Sequence, residues 1–227
     1  IRAISIALVV LAHLHVFLGL ARLDQLPYRA LSLVSGETGV MAFFVLSGFL
    51  ITSLLVHEHR KTGHVDLKSF YIRRTLRIFP VYFACIFFIL VIRFFLTTDI
   101  SDTSMAYAAL YIYNFIPREA YSTTLGHTWS LAVEEHFYLL WPFLFLAFYQ
   151  RLQARLALYV FGFVITSHVL LVILLNFTDL DMLYRVRNWS FIAGGHIALG
   201  CLMALIVLSD LSRLIEQLAL PVAGCIG

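Results

Sequence analysis

Read with a window of about 19 residues, six stretches of the chain are continuously apolar: about 3–20, 39–56, 78–96, 131–149, 156–175 and 191–208. Each is long enough for an α-helix that crosses roughly 30 Å of hydrocarbon. The stretch 104–117 is shorter, contains Asn114 and ends at Pro117, so it predicts an interfacial or re-entrant piece. Residues 218–227 read as the start of a further span that the chain does not complete. The expected fold is therefore all-α, a polytopic transmembrane bundle of about six full spans in a single domain over 1–227. Apolar sequence begins directly after Ile1-Arg2 and is still running at Gly227, which leads us to expect a piece of a longer protein. The first run is too long for a signal peptide, contains histidines and is followed by no small-residue cleavage site.

The polar residues between the runs orient them. Residues 58–80 carry Arg60, Lys61, Lys68, Arg73, Arg74 and Arg77 against Glu58 and Asp66. The next intervening stretch, 97–128, carries Asp99, Asp102 and Glu119 against Arg118. Basic loops stay in the cytoplasm, so 58–80 is expected inside and 97–128 outside. Alternation then places Arg2, Arg151 and Arg155 inside as well, and the two basic loops agree without adjustment.

Composition sharpens this picture. Of 227 residues, 61% are hydrophobic and 13% charged, against about 45–50% and about 25% for a soluble domain. The net charge of +3 is small, and the basic residues lie between apolar runs, so no nucleic-acid surface is expected. Cys85, Cys201 and Cys225 sit in apolar surroundings without metal-ligand spacing and read as small buried hydrophobes. Neither a metal nor a tightly bound cofactor is expected.

Ionisable groups inside an apolar span are costly and point to function. Arg2 and His13 are 11 residues apart, about three helical turns plus roughly 20°, so both project from one face of the first span. The rise between them is about 16 Å, which leaves Arg2 at the cytoplasmic end and His13 near mid-membrane. An imidazole can accept a proton near neutral pH. His13 is a candidate general base for an attacking hydroxyl, or a nucleophile that itself carries an acyl group. The structural alternative is a histidine bonded to a neighbouring helix and an arginine reaching to the headgroups.

Three further groups stand out. Arg73, Arg74 and Arg77 enter the third span from the cytoplasm with spacings that make them neighbours on a helix. Guanidinium forks suit phosphate, although basic residues at that end are also what topology requires. In the second span, Ser47 and Gly48 allow close helix approach or leave room for a thin substrate arm. The fourth span opens with Gly126-His-Thr-Trp-Ser-Leu-Ala-Val-Glu134-Glu135-His136-Phe-Tyr138. Thr128 or Ser130 can cap this helix. A first-turn dipole role explains one carboxylate better than two on different faces, and Glu134, a turn or so below the outer surface, is a candidate to orient His13 or bind an acceptor.

Taken together, these residues resemble the acyltransferase family 3 membrane proteins. The match runs through Arg2-x10-His13, Phe43-Phe44…Ser47-Gly48-Phe49, Arg73-Arg74-x-x-Arg77-Ile78-x-Pro80 and Trp129-Ser130-Leu131-x-x-Glu134-x-x-Phe137-Tyr138. It ends with Gly194-Gly195…Gly200 after Arg187. Five motifs in this order across nearly the whole chain are specific, whereas each alone is weak. The resemblance implies a bacterial inner-membrane O-acyltransferase that takes an acyl group, often acetyl, from cytoplasmic acyl-CoA. The acceptor would be a hydroxyl on an extracytoplasmic glycan or related molecule. Carried over, His13 is the catalytic base, Arg2 its partner and Arg73, Arg74 and Arg77 the CoA contact. The family usually has about ten spans, so further C-terminal helices are expected elsewhere. A proton-coupled transporter using His13 and Glu134 as relay groups is the competing reading, disfavoured by the scarcity of ionisable groups in most spans.

Overall fold

The computed structural model of the chain describes residues 36–96, 100–177, 186 and 188–208. Five α-helices carry it: α1 (Gly36–Thr62), α2 (Leu67–Phe95), α3 (Asp102–Ala109), α4 (Thr128–Phe177) and α5 (Ser190–Leu208). Two 3-10 turns, Tyr113–Phe115 and Arg118–Ala120, lie between α3 and α4. No strand occurs among the described residues. The first expected span and the incomplete last one lie outside them.

α4 is helical over 50 residues, which would reach about 75 Å if straight, far beyond a bilayer. It serves as two spans. A straight helix would separate Phe148 and Tyr159 by about 16 Å along its axis, yet their rings are 5.8 Å apart. Trp141, Phe145 and Tyr149 likewise share one core with Leu156, Val160 and Val164. With α4 divided at 128–149 and 155–176, five described stretches are long and apolar enough to cross a membrane.

Contacts between helices reproduce the expected alternation of direction. Phe44 of α1 packs with Ala193 and Ile197 of α5, and farther along, the Arg60 guanidinium donates to the Leu208 carbonyl. These two helices therefore run parallel. In contrast, Tyr71 of α2 donates to the Leu139 carbonyl, while Arg74 meets Glu134, so α2 and the first half of α4 run antiparallel.

The α1–α5 seam is backbone against backbone. A Cβ added at Gly48 would run into the Ile197 carbonyl oxygen, and one at Gly200 into that of Val45. Lipid gives apolar helices no hydrophobic reason to associate, so close packing of this kind supplies the attraction. The Cys201 thiol donates to the Gly48 carbonyl across the same contact (3.4 Å).

Two expectations need correction. Residues 58–80 are mostly helix and not a loop, because α1 continues to Thr62 and α2 already begins at Leu67. Hydropathy windows register where charge begins, whereas helix ends are set by caps. Gly63 adopts a left-handed φ of 75 and its amide closes on the His59 carbonyl (2.8 Å), ending α1. Asp66 then accepts from the Ser69 amide (3.1 Å) and starts α2. The same Ser69 hydrogen bonds hold the Asp66 carboxyl below its ordinary pKa.

The second correction concerns depth. The segment after α2 folds back along that helix. Tyr82 of α2 donates to the Ala108 carbonyl (2.7 Å), and Tyr82, Ile86 and Ile89 form a core with Ile100, Tyr111, Tyr113 and Leu125. Tyr82 lies about 22 Å along α2 from Leu67. The re-entrant expectation for 104–117 therefore describes this segment better than the interfacial one. Because the segment reaches so far back, Thr128 opens α4 beside Tyr82, midway along α2 and not at its far end. Glu134 accordingly meets Arg74, nearer the start of α2 than its end.

Candidate active site

Arg74 draws Glu134, Glu135 and Tyr138 of α4 around it. It stands about 10 Å along α2 from Leu67, and its side chain is only 20% exposed. Its Nη2 lies 3.9 Å from Glu134 Oε1 and its Nε 3.7 Å from Glu135 Oε1. The guanidinium also sits over the Tyr138 ring, a cation–π contact. The Tyr138 hydroxyl donates to Glu134 Oε1, which closes a three-residue circuit. Ser47 of α1, fully buried, lies beside the Tyr138 phenol.

Local sequence accounts for this grouping. Glu134 and Tyr138 are four residues apart and share a face of α4. Glu135 is turned about 100° away, which lets the two carboxylates hold one guanidinium from two sides. Two carboxylates in an apolar span would each be expensive without a cation, and Arg74 supplies it.

The three arginines expected to act together are divided. Arg73 and Arg77 are exposed on α2, four residues apart and on one face, while Arg74 turns inward to the carboxylates. Ser47 is brought to the cluster through Tyr138. Gly48 is not: its open side is filled by the α5 backbone, so it serves packing and leaves no space there for a substrate arm. Arg2 and His13 lie outside the described residues, as does Arg187.

Sequence reading passed over several participants. Glu135 and Tyr138 stood in the quoted motif without roles, although paired carboxylates in an apolar span were signal enough to include both. A second polar link had no signal at all. Ser190 Oγ lies 2.7 Å from His136 Nδ1 and accepts from Asn114 Nδ2 (3.0 Å), with Phe115 stacked on His136. These residues are far apart in the chain and meet only in the fold. His136 and Ser190 stand at one end of a 570 Å³ cavity between the two halves of α4 and α5, lined largely by Phe137, Trp141, Phe148, Tyr159 and Phe163. His136 is about 200° around α4 from Glu134, so this cavity opens away from Arg74.

Comparison with known proteins gives this arrangement its setting. The chain is 32% identical over 186 residues to the O-acetyltransferase OatA of Staphylococcus aureus (strain NCTC 8325 / PS 47), covering 77% of this chain and 30% of that protein. It is 35% identical over 144 residues to a protein of Staphylococcus aureus (strain COL) named provisionally as an O-acetyltransferase, covering 58% of this chain and 23% of the relative. The chain thus spans less than a third of the length of these relatives. No solved structure matches it. The profile of the acyltransferase domain family, acyltransferase 3, matches residues 1–227. An all-helical chain of membrane-length spans, matched by that profile from its first residue to its last, belongs to the acyltransferase 3 family.

Proposed function

We propose that this chain is the membrane core of an O-acyltransferase that moves an acyl group, acetyl in the simplest case, from cytoplasmic acyl-CoA to a hydroxyl of an extracytoplasmic glycan or related acceptor. The observation that carries this reading is the Arg74–Glu134–Glu135–Tyr138 cluster, an ionic site well inside an apolar bundle of an acyltransferase family. A bundle that needed only to pack would gain nothing by keeping these charges.

CoA is too highly charged to cross the bilayer, so only its thin thioester-bearing arm need enter. Arg73 and Arg77 are exposed near the basic end of α2 and suit the phosphates. His13 takes the proton of the attacking hydroxyl, or first carries the acyl group itself, with Arg2 as its partner. Glu134, held by Arg74 and Tyr138, orients the imidazole or the acceptor.

His13→Ala is expected to abolish transfer of label from radiolabelled acetyl-CoA into membranes while insertion and expression are unchanged. Retained transfer would remove His13 from the mechanism, and substrate flux without acyl consumption would favour the transporter reading. Replacing Arg73 and Arg77 together by Glu is expected to raise the apparent KM for acetyl-CoA by tenfold or more, about 1.4 kcal/mol, with Vmax little changed. An unaltered KM would exclude them from the donor site.

A further inference from the structure

Ser190 and His136 hold a geometry that packing alone does not require. Ser190 opens α5 and His136 lies in the first half of α4, yet their side chains meet at 2.7 Å, Oγ to Nδ1. Asn114 Nδ2 donates to the same Oγ (3.0 Å), which leaves the serine's own proton to point at the imidazole. The Tyr111 backbone carbonyl accepts from that imidazole in turn. A neutral imidazole has one N–H, so giving it to the carbonyl leaves Nδ1 to take the Ser190 proton. Phe115 stacks on the ring and holds its plane. Tyr111 itself has a left-handed backbone, φ 57, a costly conformation outside glycine and one that gathers at functional sites. A nucleophile, a base within hydrogen-bond reach and a third group that orients the base are the parts of an activated serine.

The pair borders a space of ligand size. Ser190 and His136 both line the 570 Å³ cavity between the halves of α4 and α5. From His136 the cavity extends along α4 to Phe148, about 18 Å away. Beyond the dyad its described walls are apolar and aromatic and hold no carboxylate, lysine or arginine. Such walls reject the phosphates of CoA and the hydroxyls of a glycan, because nothing there would replace their hydration. A two-carbon acyl group would leave most of the space empty, whereas an extended hydrocarbon chain fits both its length and its chemistry.

We infer that Ser190 is a second acyl-carrying nucleophile, with His136 as its base, and that its substrate is a medium- or long-chain acyl thioester or activated ester whose hydrocarbon chain lies in this cavity. Ser190 Oγ bonds to the carbonyl carbon as its proton passes to His136 Nδ1. The negative charge that collects on the carbonyl oxygen forms at the start of α5, the positive end of the helix dipole. Collapse re-forms the C=O bond and breaks the bond to the leaving group, which takes the proton from His136 and departs as a thiol or alcohol. An acceptor hydroxyl then gives its proton to His136 and attacks the acyl-serine; Ser190 leaves, recovers the proton and releases an ester. Apolar walls keep water from the acyl-serine between the two steps. Asn114 is a positioning residue, since it acts through the serine oxygen.

Purified full-length protein and 4-nitrophenyl esters make the test, because released nitrophenolate reports each acylation. The octanoyl ester is expected to leave an acyl group on Ser190, located by peptide mass spectrometry. It should react at least about tenfold faster than the acetyl ester, since its added methylenes enter the cavity. His136→Gln is expected to slow octanoylation about 100-fold. Ser190→Ala should take no label. Because it also loses the bonds to His136 and Asn114, Ser190→Cys is the second variant, expected to carry octanoyl as a thioester that neutral hydroxylamine releases. Ala198→Phe, which narrows the cavity, should remove the advantage of the octanoyl ester. An unacylated Ser190 in folded wild type, equal rates for the two esters, or His136→Gln octanoylated as fast as wild type would overturn the inference. Acetyl transfer from labelled acetyl-CoA in the same samples reads the function proposed above separately, since octanoylation of Ser190 does not require it.

Discussion

Arg74→Ala is expected to eliminate acyl transfer and to destabilise the bundle by about 3–5 kcal/mol, because it strands two carboxylates in an apolar span. A native domain has only about 5–15 kcal/mol to lose, so much of the variant should fail to assemble. The geometry fixes what goes missing: the contacts to Glu134 and Glu135 and the cation over the Tyr138 ring. Glu134 itself is 5% exposed and would be left with the Tyr138 hydroxyl alone among these partners. The structural and chemical roles of the cluster can be pulled apart. Arg74→Ala combined with Glu134→Gln and Glu135→Gln removes the uncompensated charges, so folding should recover while transfer does not. Detergent-solution melting and labelled acetyl-CoA transfer measure the two halves. A single Arg74→Ala variant that melts like wild type would show that these ion pairs contribute little to assembly.

The second large effect concerns the α1–α5 seam. Gly48→Val and Gly200→Val are each expected to cost about 3 kcal/mol or more, the upper end of overpacking, since the added Cβ meets a backbone carbonyl and not a movable side chain. Relief requires the two helices to separate, which also shifts Ser47 away from Tyr138. Gly162 and Gly194 serve as controls on the same protein. An added Cβ meets nothing within 4 Å at either, and alanine there should be neutral or stabilising by up to about 1 kcal/mol. Folded yield and melting temperature across the four variants decide the point. Equal tolerance at all four positions would mean that the seam is looser than its carbonyl contacts imply.

Much of the architecture was legible in the chain because a bilayer imposes a coarse rule. Every stretch near 20 apolar residues must be a helix, since no other single segment satisfies its own backbone in lipid. The alternating directions of α1, α2, the halves of α4 and α5 follow from that rule and from the basic residues between 58 and 80. Glu134 was legible for the same reason, as a charge where charge is expensive. The ends of α1 and α2 were not, because hydropathy does not see the Gly63 and Asp66 caps. Neither was the level at which Glu134 meets α2, which depends on how far the 100–127 segment folds back along that helix.

By itself, then, the order of residues determined that this protein is a helical membrane bundle of the acyltransferase 3 family, with its charges confined to a few motifs. Only the tertiary structure decided that Arg74 parts from Arg73 and Arg77 to hold Glu134 and Glu135. The same holds for Gly48, which packs against α5. The reason is physical: insertion into lipid depends on the summed transfer free energy of each segment, which composition contains. Which side chains meet depends on helix rotation and depth, and these are set by contacts between residues far apart in the chain.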